Sequence, residues 1–180
     1  GKAPLAPPPS DVIQREIDAT YALGGTFLTL LDPAYPALLR ALPDTPPVLS
    51  VLGDITCLQR PAISIVGARN ASAHGLRLAE SLATELAEQG VLVVSGLARG
   101  IDSAAHCGAL HRQGLTAAAI AGGLDRPYPP ENTQLQARIA ANGLVLTEAP
   151  LGTTPQARSF PRRNRIIAGQ PGRASRRERV

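Results

Sequence analysis

The stretch Ala62-Ile63-Ser64-Ile65-Val66-Gly67-Ala68-Arg69 is an apolar run, broken only by one serine, that ends in a glycine, a small residue and an arginine. Bounded by Pro61 and Gly67, it suits a strand buried on both faces of a parallel sheet, with the glycine marking a tight exit at the carboxyl end. In open α/β sheets ligands collect at that end. Arg69, just past it, is therefore placed to meet something anionic.

Downstream the chain alternates strand and helix, the pattern of βαβ units. Ser72 is positioned to cap a helix running to about Gln89, with Leu78, Leu82 and Leu86 at four-residue spacing, Ala79 and Ala83 beside them, and Gly90 as its stop. A strand over 91–94 opens into Ser95-Gly96-Leu97-Ala98-Arg99-Gly100-Ile101-Asp102. The pattern then predicts a helix near 103–112, a strand over 115–121, a helix from Pro129-Pro130 to about 141 and a strand over 144–147. Right-handed crossovers bring the ends of these four strands to one edge. Each end carries glycine or a small polar residue, as close approach of backbone to a ligand requires.

Upstream, residues 1–10 (GKAPLAPPPS) are proline-rich and predict a flexible lead-in. Asp11 is placed to cap a helix over about 12–23, ended by Gly24-Gly25; strands follow over 26–31 and 48–52, with a short helix near 34–42 between them. The organisation expected is a lead-in (1–10), an N-terminal extension of the sheet domain (11–60), the sheet domain itself (61–169) and a basic tail (170–180).

At 180 residues, 44% hydrophobic and 3% aromatic, the chain can bury one core built of Ala, Leu, Ile and Val. Cys57 and Cys107 belong to no CxxC or Cys/His pattern, so neither a zinc site nor a disulfide framework is expected, and a reduced, cytoplasmic protein is. No stretch approaches the roughly 20 apolar residues of a membrane span, and no leader pattern opens the chain. Charge is local: residues 158–180 hold eight arginines against Glu178, net +7, which leaves −3 on residues 1–157. A short positive segment on a mildly acidic body is the footprint of a surface for a polyanion; for Arg173 to Arg179 a solvated tail is an equally good reading.

Gly67-Ala68-Arg69 and Ser95-Gly96-Leu97-Ala98-Arg99-Gly100 are both short Gly-rich exits from strand into helix. They present backbone N–H groups where a helix N-terminus favours phosphate, and each adds a guanidinium able to fork onto phosphate oxygens. A dinucleotide is disfavoured. The first turn lacks GxGxxG, no acid follows the second strand to take a ribose hydroxyl, and GxxxxGK[ST] is absent. Hydrolase patterns fail as well: no serine sits in GxSxG, and His74, His106 and His111 fit surface or core positions better than a metal or nucleophile site. Asp102 is placed either to orient Arg99 or to cap the next helix.

In Phe160-Pro161-Arg162-Arg163-Asn164-Arg165-Ile166-Ile167-Ala168-Gly169 a helix should open at Pro161 with three arginines in its first turn, where the helix dipole opposes cations. Such crowding costs stability unless an anion offsets it, which places the turn against a nucleic-acid backbone beside Arg69 and Arg99. Phe160 either stacks on a base or packs on the sheet.

SIVGAR, VVSGLARGIDSAAHCGAL, AGGLDRPYPPEN and FPRRNRIIAG, in that order, together with LDPAYPALLRALPDTPPVLSVLGD upstream, resemble the DprA/Smf family of bacterial DNA-processing proteins over about Ala22 to Gly169. The resemblance implies an α/β fold of extended Rossmann type, an open and mostly parallel sheet with helices on both faces. It also implies a non-enzymatic protein that binds single-stranded DNA without a cofactor or metal and loads RecA during natural transformation. Carried over by motif, the DNA-binding residues are Gly67, Ala68 and Arg69, then Ser95, Gly96, Arg99 and Gly100, then Phe160, Arg162, Arg163, Asn164 and Arg165. The family pattern continues past RIIAG with an apolar strand, where this chain reads QPGRASRRERV. A truncated or frame-shifted chain is therefore expected, with a sheet incomplete at its C-terminal edge and with the family's homodimer and RecA contact in doubt. An enzyme acting on nucleoside monophosphates, similar to the phosphoribohydrolases with a PGGxGTxxE loop, is the alternative; Ala121-Gly122-Gly123-Leu124-Asp125 is its nearest approach here.

Overall fold

A computed structural model describes residues 7–170, so parts of the expected lead-in and nearly all of the expected tail lie outside the described residues. Helix α1 (Ser10–Ala22) leads through Gly24, at φ +81°, into strand β1 (Gly25–Thr29). The short helix α2 (Ala37–Arg40) and strand β2 (Val48–Gly53) follow. Then come β3 (Ala62–Ser64), α3 (Ala73–Glu88), β4 (Leu92–Ser95), α4 (Ile101–Leu110), β5 (Thr116–Ala119), α5 (Thr133–Asn142), β6 (Leu144–Thr147) and α6 (Ser159–Gly169). Ser72 caps α3, its Oγ accepting from the Gly75 N–H at 3.1 Å. Asp11 does not cap α1: Pro9 precedes that helix, and the Asp11 carboxylate pairs with Arg15 one turn on at 2.8 Å.

The strands form one sheet in the order β1-β2-β6-β5-β4-β3. β3, β4, β5 and β6 run parallel, while β2 lies antiparallel to both β1 and β6. The mixed, mainly parallel α/β architecture is the one expected, and the segment ahead of Pro61 supplies two strands of the same sheet rather than a separate layer.

One expectation fails, and one is sharpened. The organising strand is shorter and lies at the sheet's edge among the described residues: Ile63, Ser64 and Ile65 are half-buried and Val66 is exposed, although the Ile65 N–H still reaches the Val94 carbonyl at 2.9 Å. Its apolar run continues past the last paired residue because it must cross from the sheet to the loop that carries Arg69. On α3 the packed face runs through the alanines beside the leucine row, with Leu86 half-buried at its margin. Leu78 is 60% exposed and Leu82 45%, while Ala79, Ala83 and Ala87 are buried. The neighbouring α4 comes so close that a Cβ on Gly108 would lie 2.2 Å from the Glu80 carbonyl oxygen, and only an alanine stripe leaves room for that.

Alternation along the parallel strands divides the core. Leu92, Val94, Ala117, Ala119, Leu144 and Leu146 face the layer that holds α2 and α6, with Leu39, Ile166 and Ile167 packed on them. Val93 packs with the buried alanines of α3 and α4, and Ala118 and Val145 with Leu135 and Ile139 of α5. No helix among the described residues is long and apolar enough to cross a membrane.

Candidate functional site

The carboxyl ends of β3, β4 and β5 are tied together by two buried charged side chains. Asp102, 4% exposed in the first turn of α4, accepts from the Gly96 N–H at 3.1 Å and, at 3.4 Å, from the Gly67 N–H. It therefore neither caps α4 nor orients Arg99. Two of the backbone donors expected to cradle a phosphate already have an acceptor within the chain. Arg163, 5% exposed on α6, donates through Nη1 to the carbonyl oxygen of Gly96 and, at 2.6 Å, to that of Ala119. The Gly96 peptide is thus held at both ends, and its lack of a side chain is what admits the guanidinium: a Cβ there would sit 2.6 Å from the Arg163 Cζ. Burial pushes the Asp102 carboxyl above the usual carboxylate range and draws the Arg163 guanidinium below its own, each partly opposed by the other's charge. Gly100 lets the two loops meet: it lies at φ +78°, and a Cβ there would be 2.2 Å from the Ala68 carbonyl oxygen.

Over this base three adjoining cavities follow the strand ends. The central one, about 110 Å³, is lined by Arg69, Arg99, Arg126, Tyr128, Phe160 and Arg163 among others. A wider hollow of about 540 Å³ shares Arg69, Phe160 and Arg163 with it and extends past Gly67, Asp102 and Asn164 on the β3 side. A third, about 260 Å³, shares Ile120, Ala121 and Arg163 with the central cavity and extends over Thr147, Glu148 and Arg162 at the end of β6. Phe160 neither points freely to solvent nor packs into the core. It is half-buried, with the Tyr128 ring 5.7 Å away at 47° and the Arg69 guanidinium 4.9 Å above its face.

Each arginine has a different standing. Arg69 is exposed and joins no ion pair among the described residues; its contact is the Phe160 ring. The Nε groups of Arg99 and Arg162 form ion pairs with Glu131 and Glu148, the latter at 2.7 Å. Arg165 turns away from all three cavities to the Asp44 carbonyl oxygen and to Glu148, with the Asp44 carboxylate 3.4 Å off. The helix opens at Ser159, two residues before the expected start, so the arginines fall past its first residues, and the groups that offset them are the Glu148 carboxylate and main-chain carbonyls of the chain itself. Of the remaining candidates, Ala68 supplies the carbonyl that receives the Ile101 N–H, and Ser95 is fully buried with its hydroxyl donating to Ile65 at 2.6 Å.

His106 is a core residue. Its Nδ1 lies 2.7 Å from the Thr116 hydroxyl, which itself donates to the Val93 carbonyl, so Nδ1 carries the proton and Nε2 is bare and unpartnered. Burial, and after it the charge of Arg163, lowers its pKa to about 3. Tyr128, Arg126 and Glu148 are site residues that the sequence reading passed over. Tyr128 stood within the stretch AGGLDRPYPPEN, whose prolines signalled only a helix start.

The family model of DNA recombination-mediator protein A matches residues 26–171. A Smf protein of Synechocystis sp. is 47% identical over 147 residues, 79% of this chain and 37% of that protein. The X-ray structure of DNA processing protein A from Streptococcus pneumoniae superposes with a TM-score of 0.83 at 37% identity, covering 91% of this chain and 56% of that one. The Helicobacter pylori DprA structure, described for a unique single-stranded DNA binding mode, superposes with a TM-score of 0.73 at 33% identity, covering 81% and 66%. The chain spans about half, or less, of the length of the curated relatives it matches. The order of motifs, the sheet that carries them and the match across residues 26–171 place this chain in the DprA/Smf family.

Proposed function

We propose that this chain binds single-stranded DNA along the row of cavities at the carboxyl ends of its parallel strands, acting as a binder rather than a catalyst. The observation that carries the reading is the central cavity, where an exposed guanidinium free of acids, Arg69, lies over one of two neighbouring aromatic rings. Aromatic and guanidinium planes hold unstacked bases of any sequence, and duplex DNA does not offer its bases in that way. Phosphates of the same strand fall to the outward ends of Arg99, at the central cavity, and Arg162, at the one over the end of β6. The described binding mode of the H. pylori relative supports the reading. Asp102, the one carboxylate buried beneath the site among the described residues, has both oxygens committed to backbone N–H groups, which favours binding over acid–base chemistry. DNA processing in natural transformation, delivery of the strand to RecA and assembly as a homodimer belong to this proposal through family membership alone.

Fluorescence anisotropy with a labelled oligonucleotide tests it. The single strand should bind more tightly than the duplex, and Arg69→Ala should weaken binding roughly tenfold, the scale of one stacked base or charged hydrogen bond. Equal affinity of variant and parent at several salt concentrations, or equal affinity for duplex, would overturn it. The nucleoside-monophosphate enzyme has less support, because Asp125 of the Gly122-Gly123 loop accepts from the Gly152 N–H at 2.7 Å and lines none of the three cavities. Release of free base from AMP would reinstate it.

A further inference from the structure

Glu148 sits just past β6 with its side chain 15% exposed. One oxygen accepts from Nη2 of Arg165, a side chain 13% exposed that is anchored in turn at Asp44. The other forms an ion pair with Nε of Arg162 at 2.7 Å, and Arg162 is 70% exposed. A carboxylate on the lip of a polyanion site is unfavourable on Coulomb grounds, so its retention there calls for a gain. The geometry supplies one. The ion pair holds the Nε edge of Arg162 against the acid, and its two terminal nitrogens, which have no hydrogen-bond partner among the described residues, are left as an outward fork.

We propose that Glu148 is a positioning residue for the nucleic-acid contact: anchored by Arg165, it braces Arg162 so that the free end of that guanidinium receives a phosphate of the strand crossing the cavity at the end of β6. The proposal rests on the reading of the rim as a single-strand site. The pair of Arg99 with Glu131 is the contrast. Its acid is 47% exposed and hydrogen-bonded to no second arginine, and exposed pairs of that kind hold a side chain only weakly.

The sign of the effect separates bracing from simple electrostatics. Glu148→Gln adds one positive charge to the chain, so Coulomb attraction alone predicts tighter DNA binding. Bracing predicts an affinity roughly tenfold lower, the scale of one charge-assisted hydrogen bond. It further predicts that Glu148→Gln has no effect when Arg162 is already glutamine. The measurement is oligonucleotide anisotropy on the whole chain, parent beside Glu148→Gln, Arg162→Gln and the double variant, with thermal melting of each. Binding by Glu148→Gln that equals or exceeds the parent overturns the proposal, as does a loss of the same size in the Arg162→Gln background. If Glu148→Gln fails to fold, Arg162→Lys decides: it keeps the charge and lacks Nε, so it should bind as weakly as Arg162→Gln, and parental affinity would overturn the brace. The parent's own isotherm keeps the two readings apart, because a parent that does not bind removes the rim itself, whereas a binding parent with an unimpaired Glu148→Gln removes only the brace.

Discussion

His106 and Arg163 show what a single side chain can conceal. Both carry chemistry-bearing groups, and both are buried: the imidazole with a bare Nε2, the guanidinium on the carbonyls of Gly96 and Ala119. The histidine has a measurable signature. With a folded pKa of about 3 against an ordinary 6.5, the unfolded chain binds the extra proton between those values, so stability rises with pH across that window and is lost as pH falls from about 6.5 toward 3. At ~1.4 kcal/mol per unit, acidification from pH 7 to pH 5 removes about 2 kcal/mol on this account. His106→Asn, which keeps a donor toward Thr116 and does not titrate, should be less stable than the parent at pH 7 by a margin that shrinks by about that amount at pH 5; urea melts at the two pH values check it. A margin that stays constant would mean the ring is not buried neutral. Arg163 was legible as part of an arginine run needing counter-anions, but its partner lies 67 residues away in the chain, and no local pattern distinguishes a guanidinium aimed at DNA from one aimed at a carbonyl.

The helices show where periodicity stops being informative. Leu78, Leu82 and Leu86 and the adjacent stripe Ala79, Ala83 and Ala87 share one spacing, and hydrophobicity favours the leucines. What selects the alanines is the distance to α4, a tertiary quantity. The Thr84 hydroxyl lies 2.9 Å from the carbonyl oxygens of both Glu80 and Gly108, so the two helices meet backbone to backbone. Gly108→Ala must therefore push α3 from α4, and its cost should reach about 3 kcal/mol, the upper range for overpacking; chemical denaturation measures it, and a loss under about 1 kcal/mol would show that the helices part easily. The parallel strands, by contrast, were legible in type and order of appearance because short apolar runs between glycine stops leave few alternatives. Strand β3 lies at the sheet's edge among the described residues, since order across a sheet is not written in any one segment.

Across the whole molecule the basic character does not spread. Leaving out Lys2 and the +3 carried by residues 171–180, the described residues have a net charge of zero. Affinity for a polyanion then has to come from the few guanidiniums at the rim. With Arg69, Arg99 and Arg162 as the contacts, the logarithm of the binding constant should fall with the logarithm of salt at a slope of about −2, from ~0.7 per phosphate on a single strand; titrations at several salt concentrations give it. A slope beyond about −5 would assign binding to a diffuse basic surface, the tail included. The rim in turn depends on a part of the chain that lines none of its cavities. Ile166 and Ile167 of α6 share a core with Tyr35, Leu39 and Leu49, and Gly169 passes so near Leu39 that a Cβ would lie 2.8 Å from its Cδ1. The described residues ahead of Pro61 are thus the seat on which the arginine helix rests. Trimming back to the four parallel strands would keep the floor of the groove and forfeit its wall, so the smallest fragment able to hold a strand has to reach back at least to β1.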